Sequence, residues 1–398
     1  ILLTIDACRK DALGCRREPA ITPFIDSIQD HCIRFTKAHS PGPYTQAAFP
    51  GILTSSYYLE HGRQKVLSQK RVLISEVLQR AGIVTAAFHS NPYLSDYFGW
   101  NRGWDVFYDS MDDEVDDKAP YIKAGEINSK VSTWLSSHTG GAFEYPPFFL
   151  WVHYMDVHEP YVPERTYLDM VDPSIKLTDQ EMFGLFQDVL LKRDVSDREV
   201  VETLRKLYCA HVREIDEGVR ELFGVLETNN VLKDSVLIIT SDHGDEFGEH
   251  GGLSHDGKMY EELVNVPLLI YEPERQDAQV SELLVSTLDI PPTISCLFGL
   301  TPEDVFQGHP LLPLEHYPMK GVFGEAVDKR GSKEKGQEKE VHYYLEDDLK
   351  IIYCETDGAW ELYDLQADPE EHHNIIEDAS AAQELKQRIQ PRVRRYQR

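Results

Sequence analysis

Four short apolar runs, each delivering a polar residue suited to chemistry at its far end, constrain this chain more than any other feature. Residues 1–5, 84–88, 148–152 and 236–240 are strand-sized and rich in Ile, Val, Leu and Phe. They lead to Asp6, His89, His153 and Asp242. Helical patterns at 73–80 and 204–226 separate them, with a turn at Gly82 and a proline pair at Pro146 and Pro147. Strands without polar alternation are buried on both faces, and their alternation with helices implies a parallel sheet covered on both sides. In open sheets of that kind, ligands gather beyond the carboxyl ends of the strands. All four polar residues fall there, so a site is expected along that edge.

The chain has 398 residues, of which 41% are apolar and 10% aromatic, ample for a sizeable core. That composition excludes global disorder. With 68 acidic and 40 basic side chains the formal charge is −28, which disfavours nucleic acid and anionic membrane faces as partners. A small anionic substrate stays open where bound cations or local basic groups reverse the sign within one pocket. No run approaches the roughly 18–20 apolar residues of a membrane span. No signal peptide is readable, although Ile1 already lies in a strand pattern, so a trimmed leader stays open. Six scattered cysteines (Cys8, Cys15, Cys32, Cys209, Cys296, Cys354) include no CxxC pair and lead us to expect reduced thiols in the cytoplasm.

Residues 109–118 read as an acidic solvated loop and 177–198 as a charged helical insertion. Residues 331–339 contain no apolar side chain and read as a flexible loop. Beyond it, 342–345, 350–354 and 360–365 have the pattern of short antiparallel strands, and 379–398 that of a helix. The expected division is a main domain, 1–315, and a small C-terminal subdomain, 316–398. Repeats are absent, and nothing in the sequence speaks to oligomeric state.

Several constellations can carry chemistry. Asp242 and His243 can meet on one ion only where the chain turns sharply, which Gly244 permits. Mixed oxygen and nitrogen ligation suits zinc or manganese better than calcium or magnesium. The same string also fits an ordinary polar loop, and Asp6 on another strand end strengthens the metal reading. Thr45 precedes a short apolar stretch and sits near an expected helix N-terminus, where unpaired N–H groups favour an anion. Its hydroxyl can be a metal-activated nucleophile or simply a helix cap. His153, Asp156 and His158 follow a strand and can bind metal or protonate a leaving group. Lys258 can neutralise developing negative charge.

Together these elements resemble the sulfatase branch of the alkaline phosphatase superfamily, in the same order along nearly the whole chain. Ile5-Asp6 with Arg9 and Asp11 resembles the opening metal-binding strand, and Thr22-Pro23 with Asp26 the next motif. Thr45 to Ser55 is similar to the nucleophile helix, and Asp156-Val157-His158-Glu159-Pro160 to the family's DPHxP loop. Ser241 to Gly244, Gly248 to Gly251 and Lys258 resemble the second metal motif and its lysine. Residues 361–365 with Asp368, Pro369 and Asn374 resemble the closing segment. The resemblance implies an α/β fold with a mixed, mostly parallel central sheet, helices on both faces, and a C-terminal antiparallel sheet. It implies one divalent ion held by Asp6, Asp242, His243 and Thr45. A second ion near Asp156, His158 and His255, as in nucleotide pyrophosphatase-like relatives, is a variant.

Departures from the family pattern redirect the expected activity. Sulfatases use a formylglycine made from Cys or Ser in a C/S-x-P-x-R motif, whereas Thr45, Ala47 and Phe49 stand here. A threonine cannot become that aldehyde, because its carbinol carbon carries a methyl group. Ala7 replaces a second aspartate, and His89 to Pro92 replaces the lysine and histidine of the GKWH block. Threonine at this place resembles the phosphodiesterases, phosphonate monoester hydrolases and phosphoethanolamine-type transferases of the superfamily. The leading expectation is therefore phosphate mono- or diester cleavage through a phospho-threonine. His158 would protonate the leaving oxygen, with Lys258, Arg9 or His255 stabilising the equatorial charge. Sulfate-ester hydrolysis and a non-catalytic binding protein of the same fold are the alternatives.

Overall fold

A computed structural model describes residues 1–14, 20–62, 65–114, 121–139, 146–192, 194–318, 321–328, 339–377 and 380–396, and no side chains at 138–139 or 394–396. Cys15, part of the acidic loop at 109–118, Ala379, the last two residues and the 331–339 loop apart from Lys339 lie outside the described residues.

Fourteen strands are described: β1 (Leu2–Ile5), β2 (Cys32–His39), β3 (Val84–Phe88), β4 (Val106–Tyr108), β5 (Phe148–Tyr154), β6 (Leu237–Ser241), β7 (Glu246–Phe247), β8 (Leu253–Ser254), β9 (Leu268–Tyr271), β10 (Gln279–Ser286), β11 (Val322–Asp328), β12 (Lys339–Glu346), β13 (Leu349–Cys354) and β14 (Ala359–Asp364). The central sheet runs β10-β2-β9-β6-β1-β5-β3-β4. β1 lies parallel between β5 and β6, and β3 lies parallel between β5 and β4. β9 alone breaks the parallel order expected from alternation, pairing antiparallel with both β6 and β2. The sheet is mixed and mostly parallel, as the family resemblance implies. Strand direction is a tertiary choice, so periodicity in β9 could not reveal it.

The helices are α1 (Pro23–Ile28), α2 (Thr45–Thr54), α3 (Ile74–Arg80), α4 (Ala124–Thr139), α5 (Arg165–Val171), α6 (Asp179–Lys192), α7 (Arg198–Thr228), α8 (Glu261–Val264), α9 (Ile290–Leu297) and α10 (Ala382–Tyr396). All of β1 is buried, with Leu3 and Ile5 on one face and Leu2 on the other. The first face is covered by α1, α4 and α7; along α7, Leu204, Tyr208, His211, Ile215, Val219, Leu222 and Leu226 recur every three or four residues on the buried side. Asp197 caps α7, accepting from the N–H groups of Glu199 and Val200. Phe49 and Ile52 of α2, Ile74 and Leu78 of α3, and Ile290 and Ile294 of α9 cover the second face.

β11 to β14 form an antiparallel sheet backed by Leu385, Ile389 and Val393 of α10. It grips the turn that launches α2: the Tyr343 hydroxyl donates to the Ser40 carbonyl at 2.7 Å, and the Glu325 N–H to the Pro41 carbonyl at 2.8 Å. Gly42 completes that turn, since a Cβ there would lie 2.4 Å from the Ala47 Cβ. No helix among the described residues is long and apolar enough to cross a membrane. Among the described residues no two cysteines are joined by a disulfide.

Candidate metal-dependent active site

Thr45 opens α2, and Tyr44 before it is extended, so the helix starts where the turn from β2 delivers the hydroxyl to the ends of β1 and β6. Thr45 Oγ1 lies 3.4 Å from Asp6 Oδ2 and 3.5 Å from His243 Nε2. His243 Nε2 is also 3.4 Å from Asp242 Oδ2 and 3.7 Å from Asp6 Oδ1. Thus the structure brings together all four residues expected to hold one ion. Its conformation at Gly244 is not left-handed. Glycine is required because a Cβ would meet the Glu262 carbonyl oxygen at 2.1 Å. Ala7, by contrast, does adopt a left-handed φ of 52°, which aims its N–H at Asp242 Oδ1, 3.2 Å away.

The donor set fits a cation. Asp6 Oδ1 and Asp242 Oδ2 are buried and accept no hydrogen bond. His243 Nδ1 faces the Gly244 carbonyl at 2.9 Å; a carbonyl can only accept, so Nδ1 carries the proton and Nε2 keeps its lone pair. Ligand atoms of Asp6, Asp242 and His243 lie within 4.8 Å of one another. Their electrostatics agree. Burial, reinforced by Asp6, pushes Asp242 up to about 7, and burial with the nearby His255 pushes His243 down to about 4. Burial opposes ionisation of Asp6, but His153, His158 and His243 outweigh it and hold Asp6 well below the usual carboxylate range. Two adjacent buried carboxylates cannot both ionise comfortably without a cation between them.

Asn91 was not among the expected site residues. Its Nδ2 donates to Asp6 Oδ2 at 2.8 Å, while its Oδ1 accepts from the Tyr93 N–H. The expectation fell instead on His89, whose ring packs against Phe107 and Trp151 with neither nitrogen partnered. The signal available was an Asn three residues beyond a strand end. His153 does reach the site: Thr4 Oγ1 holds its Nδ1 at 2.9 Å, and its Nε2 sits 3.3 Å from Asp6 Oδ2.

His158 Nε2 is 4.0 Å from Asp6 Oδ1, and the His158 and His255 rings lie 5.0 Å apart. Both line a pocket of about 160 Å³ with Thr45, Gln46, Asn91, Tyr93 and Tyr121. Against the effect of burial, Glu159 and Asp6 raise His158, while Glu159 and Asp245 raise His255 to about 10. Asp156 takes another course. Both its oxygens accept from the Ala124 N–H at 3.1 Å, so it caps α4 and does not join a second ion with His158 and His255. That helix-capping contact leaves Glu159 as the acid beside the two histidines.

Arg9 and Lys258 are not brought to Thr45. Arg9 is held by Asp11, Glu249 and the Asp245 carbonyl, and Lys258 by Glu246 at 2.6 Å and the His250 carbonyl at 2.9 Å. Neither lines the pocket at Thr45. The insertion helix α6 buries Met182, Phe186 and Val189 in the core beside α7 and adds no lining residue either.

Two carboxylates, an imidazole and a helix-borne hydroxyl thus meet at the strand ends of the sheet, with ligand atoms of Asp6, Asp242 and His243 close enough to share one cation. A family model described as "Sulfatase" matches residues 1–300, and a second, described as "N-sulphoglucosamine sulphohydrolase, C-terminal", matches residues 248–398. The chain belongs to the sulfatase family. It is similar to the choline-sulfatase of Rhizobium meliloti, 29% identical over 257 residues that span 58% of this chain and 47% of that protein, so the match covers under half of the relative's length. The phosphonate monoester hydrolase of Agrobacterium radiobacter superposes with a TM-score of 0.78 at 20% identity, covering 100% of this chain and 95% of that one. A structure holding its substrate D-glucosamine-2-N,6-O-disulfate superposes with a TM-score of 0.80, also at 20% identity, covering 100% and 98%.

Proposed function

We propose that this protein hydrolyses phosphate mono- or diesters, with the Thr45 hydroxyl as nucleophile. The observation that carries this reading is the convergence of Thr45 Oγ1 on Asp6 and His243, at 3.4 and 3.5 Å, beside two unpartnered carboxylate oxygens. Asp6, Asp242, His243 and Thr45 would hold a divalent ion, zinc or manganese being best suited to that set, which would lower the threonine pKa and polarise a non-bridging oxygen. Asn91 and His153 fix the Asp6 carboxylate. Thr45 attacks the tetrahedral centre, the bond to the leaving oxygen breaks, and His158 protonates that oxygen. His255, which lines the pocket, would stabilise the charge on the equatorial oxygens, a role expected of Lys258, Arg9 or His255. Water then resolves the phospho-threonine; an acceptor alcohol in its place would make the enzyme a transferase. Six scattered cysteines with no CxxC pair suit a reducing compartment, and on that basis we place the enzyme in the cytoplasm.

The sulfatase names of its relatives favour a second reading, sulfate-ester hydrolysis by unmodified threonine. The test is turnover of bis(4-nitrophenyl) phosphate, 4-nitrophenyl phosphate and 4-nitrophenyl sulfate, with metal content measured alongside. Phosphoester turnover is expected to fall at least about 10³-fold in Thr45→Ala. Faster cleavage of the sulfate would overturn the phosphate assignment, and turnover that survives in Thr45→Ala would overturn the nucleophile.

A further inference from the structure

We propose that Glu159 is a positioning residue that aims His158 and His255 into the pocket as a paired clamp for the acidic oxygens of the ester. The inference rests on the function proposed above and adds what grips the substrate. It begins with a deficit: among the residues lining the pocket at Thr45, only His158 and His255 can carry positive charge. A carboxylate beside them would repel an anionic substrate unless it served the histidines themselves.

The geometry shows how it does so. His158 Nδ1 lies 2.8 Å from the backbone carbonyl of Glu159 and 3.6 Å from its Oε2. His255 Nδ1 lies 2.8 Å from Asp245 Oδ1 and 3.5 Å from the same Glu159 Oε2. Carbonyl and carboxylate oxygens only accept, so both Nδ1 atoms carry protons; each proton goes to its 2.8 Å acceptor, and Glu159 Oε2 lies at ion-pair distance from both rings. That oxygen is buried and makes no hydrogen bond of its own. One carboxylate therefore sets its charge against two rings from distant segments, and each ring keeps Nε2 for the pocket. A cation bound by Glu159 and the Nδ1 atoms is excluded by the same protons, since no lone pair is left on either.

The test uses the full chain loaded with metal and the variants Glu159→Gln and Glu159→Asp. With bis(4-nitrophenyl) phosphate, Glu159→Gln is expected to lower kcat/KM at least about tenfold, part of it as a raised KM, because the rings lose the charge that holds them while the pocket remains. Metal content and Tm should stay at wild-type values. Glu159→Asp, which keeps the charge at shorter reach, should recover about a third of the lost rate or more. A second arm measures binding of inorganic phosphate by calorimetry, expected to weaken about tenfold in Glu159→Gln. Wild-type kcat/KM and phosphate affinity in Glu159→Gln would overturn the clamp, as would loss of a metal equivalent in that variant. Should the wild type cleave none of the esters, the proposed function fails, and phosphate binding alone then decides the clamp.

Discussion

Lys350, Glu261 and Glu371 form a buried charge cluster that closes on itself; Asp6, Asp242 and His243 form one that does not. In the first, the fully buried Lys350 ammonium lies 2.8 Å from Glu261 Oε1 and 3.0 Å from Glu371 Oε1. His39 Nε2 adds a contact to Glu261 at 3.1 Å, and Glu371 Oε2 accepts the Glu261 N–H at 2.6 Å. The cluster bolts β13 to α8 and the end of β2. In the second, which is wholly buried, the groups beside Asp6 and Asp242 that could carry positive charge are imidazoles, and one oxygen of each carboxylate accepts nothing; Glu371 Oε1 also lacks a hydrogen bond but faces the Lys350 charge. The contrast teaches how to tell structural from functional buried charge in one molecule. Where the chain supplies the counter-ion, the cluster is architecture; where the counter-ion is missing, it comes from outside.

Removing one carboxylate should have opposite consequences for rate and stability at the open cluster. Asp242→Asn keeps the shape that receives the Ala7 and His243 N–H groups but removes a ligand charge. Turnover should drop by about 10³-fold or more, above 4 kcal/mol, with loss of bound metal. Denaturant unfolding of the chelated protein should show stability equal to or above wild type, since a like-charge pair is gone. A less stable chelated variant would break the contrast. At the closed cluster the sign reverses. Lys350→Met fills the same volume but strands two buried carboxylates, and unfolding should become easier by about 3–4 kcal/mol. Metal content of the folded variant should match wild type, because Lys350 touches no residue of the open cluster.

Much of this was legible in the sequence, for a reason with limits. Apolar runs report burial, so β3 was read to the residue and β1 and β6 to within one. The four residues that we propose hold the ion are legible because each follows a strand or opens a helix. Pairings between distant residues leave no local trace. Arg9 and Lys258 read as free cations, yet Glu249 and Glu246 consume them. Asp156 read as a ligand, yet the start of α4 claims it. Glu159 and Asn91 carried only the signal of position, an acid and an amide on strand-end loops, and what each touches is decided by folding.

The closed cluster still carries one carboxylate more than its single lysine balances, and pH should expose the surplus. Burial, with Glu261 adding repulsion, pushes Glu371 up to about 7 from an ordinary 4.5, although Lys350 partly offsets this. A folded-state value above the unfolded one means the native protein holds a proton that the unfolded chain has released. Stability contributed by that proton is whole below about pH 4.5 and is lost as pH rises through 7. Glu371→Gln keeps an oxygen for the Glu261 N–H and removes the charge. Its stability relative to wild type should therefore be near zero at pH 4.5, climb between pH 4.5 and 7, and level off at a gain of about 2–3 kcal/mol above that. Urea unfolding at pH 5, 6, 7 and 8 reads the curve directly. A variant that loses stability at pH 8 would show that Lys350 needs both carboxylates, and the surplus would then belong to the open cluster alone.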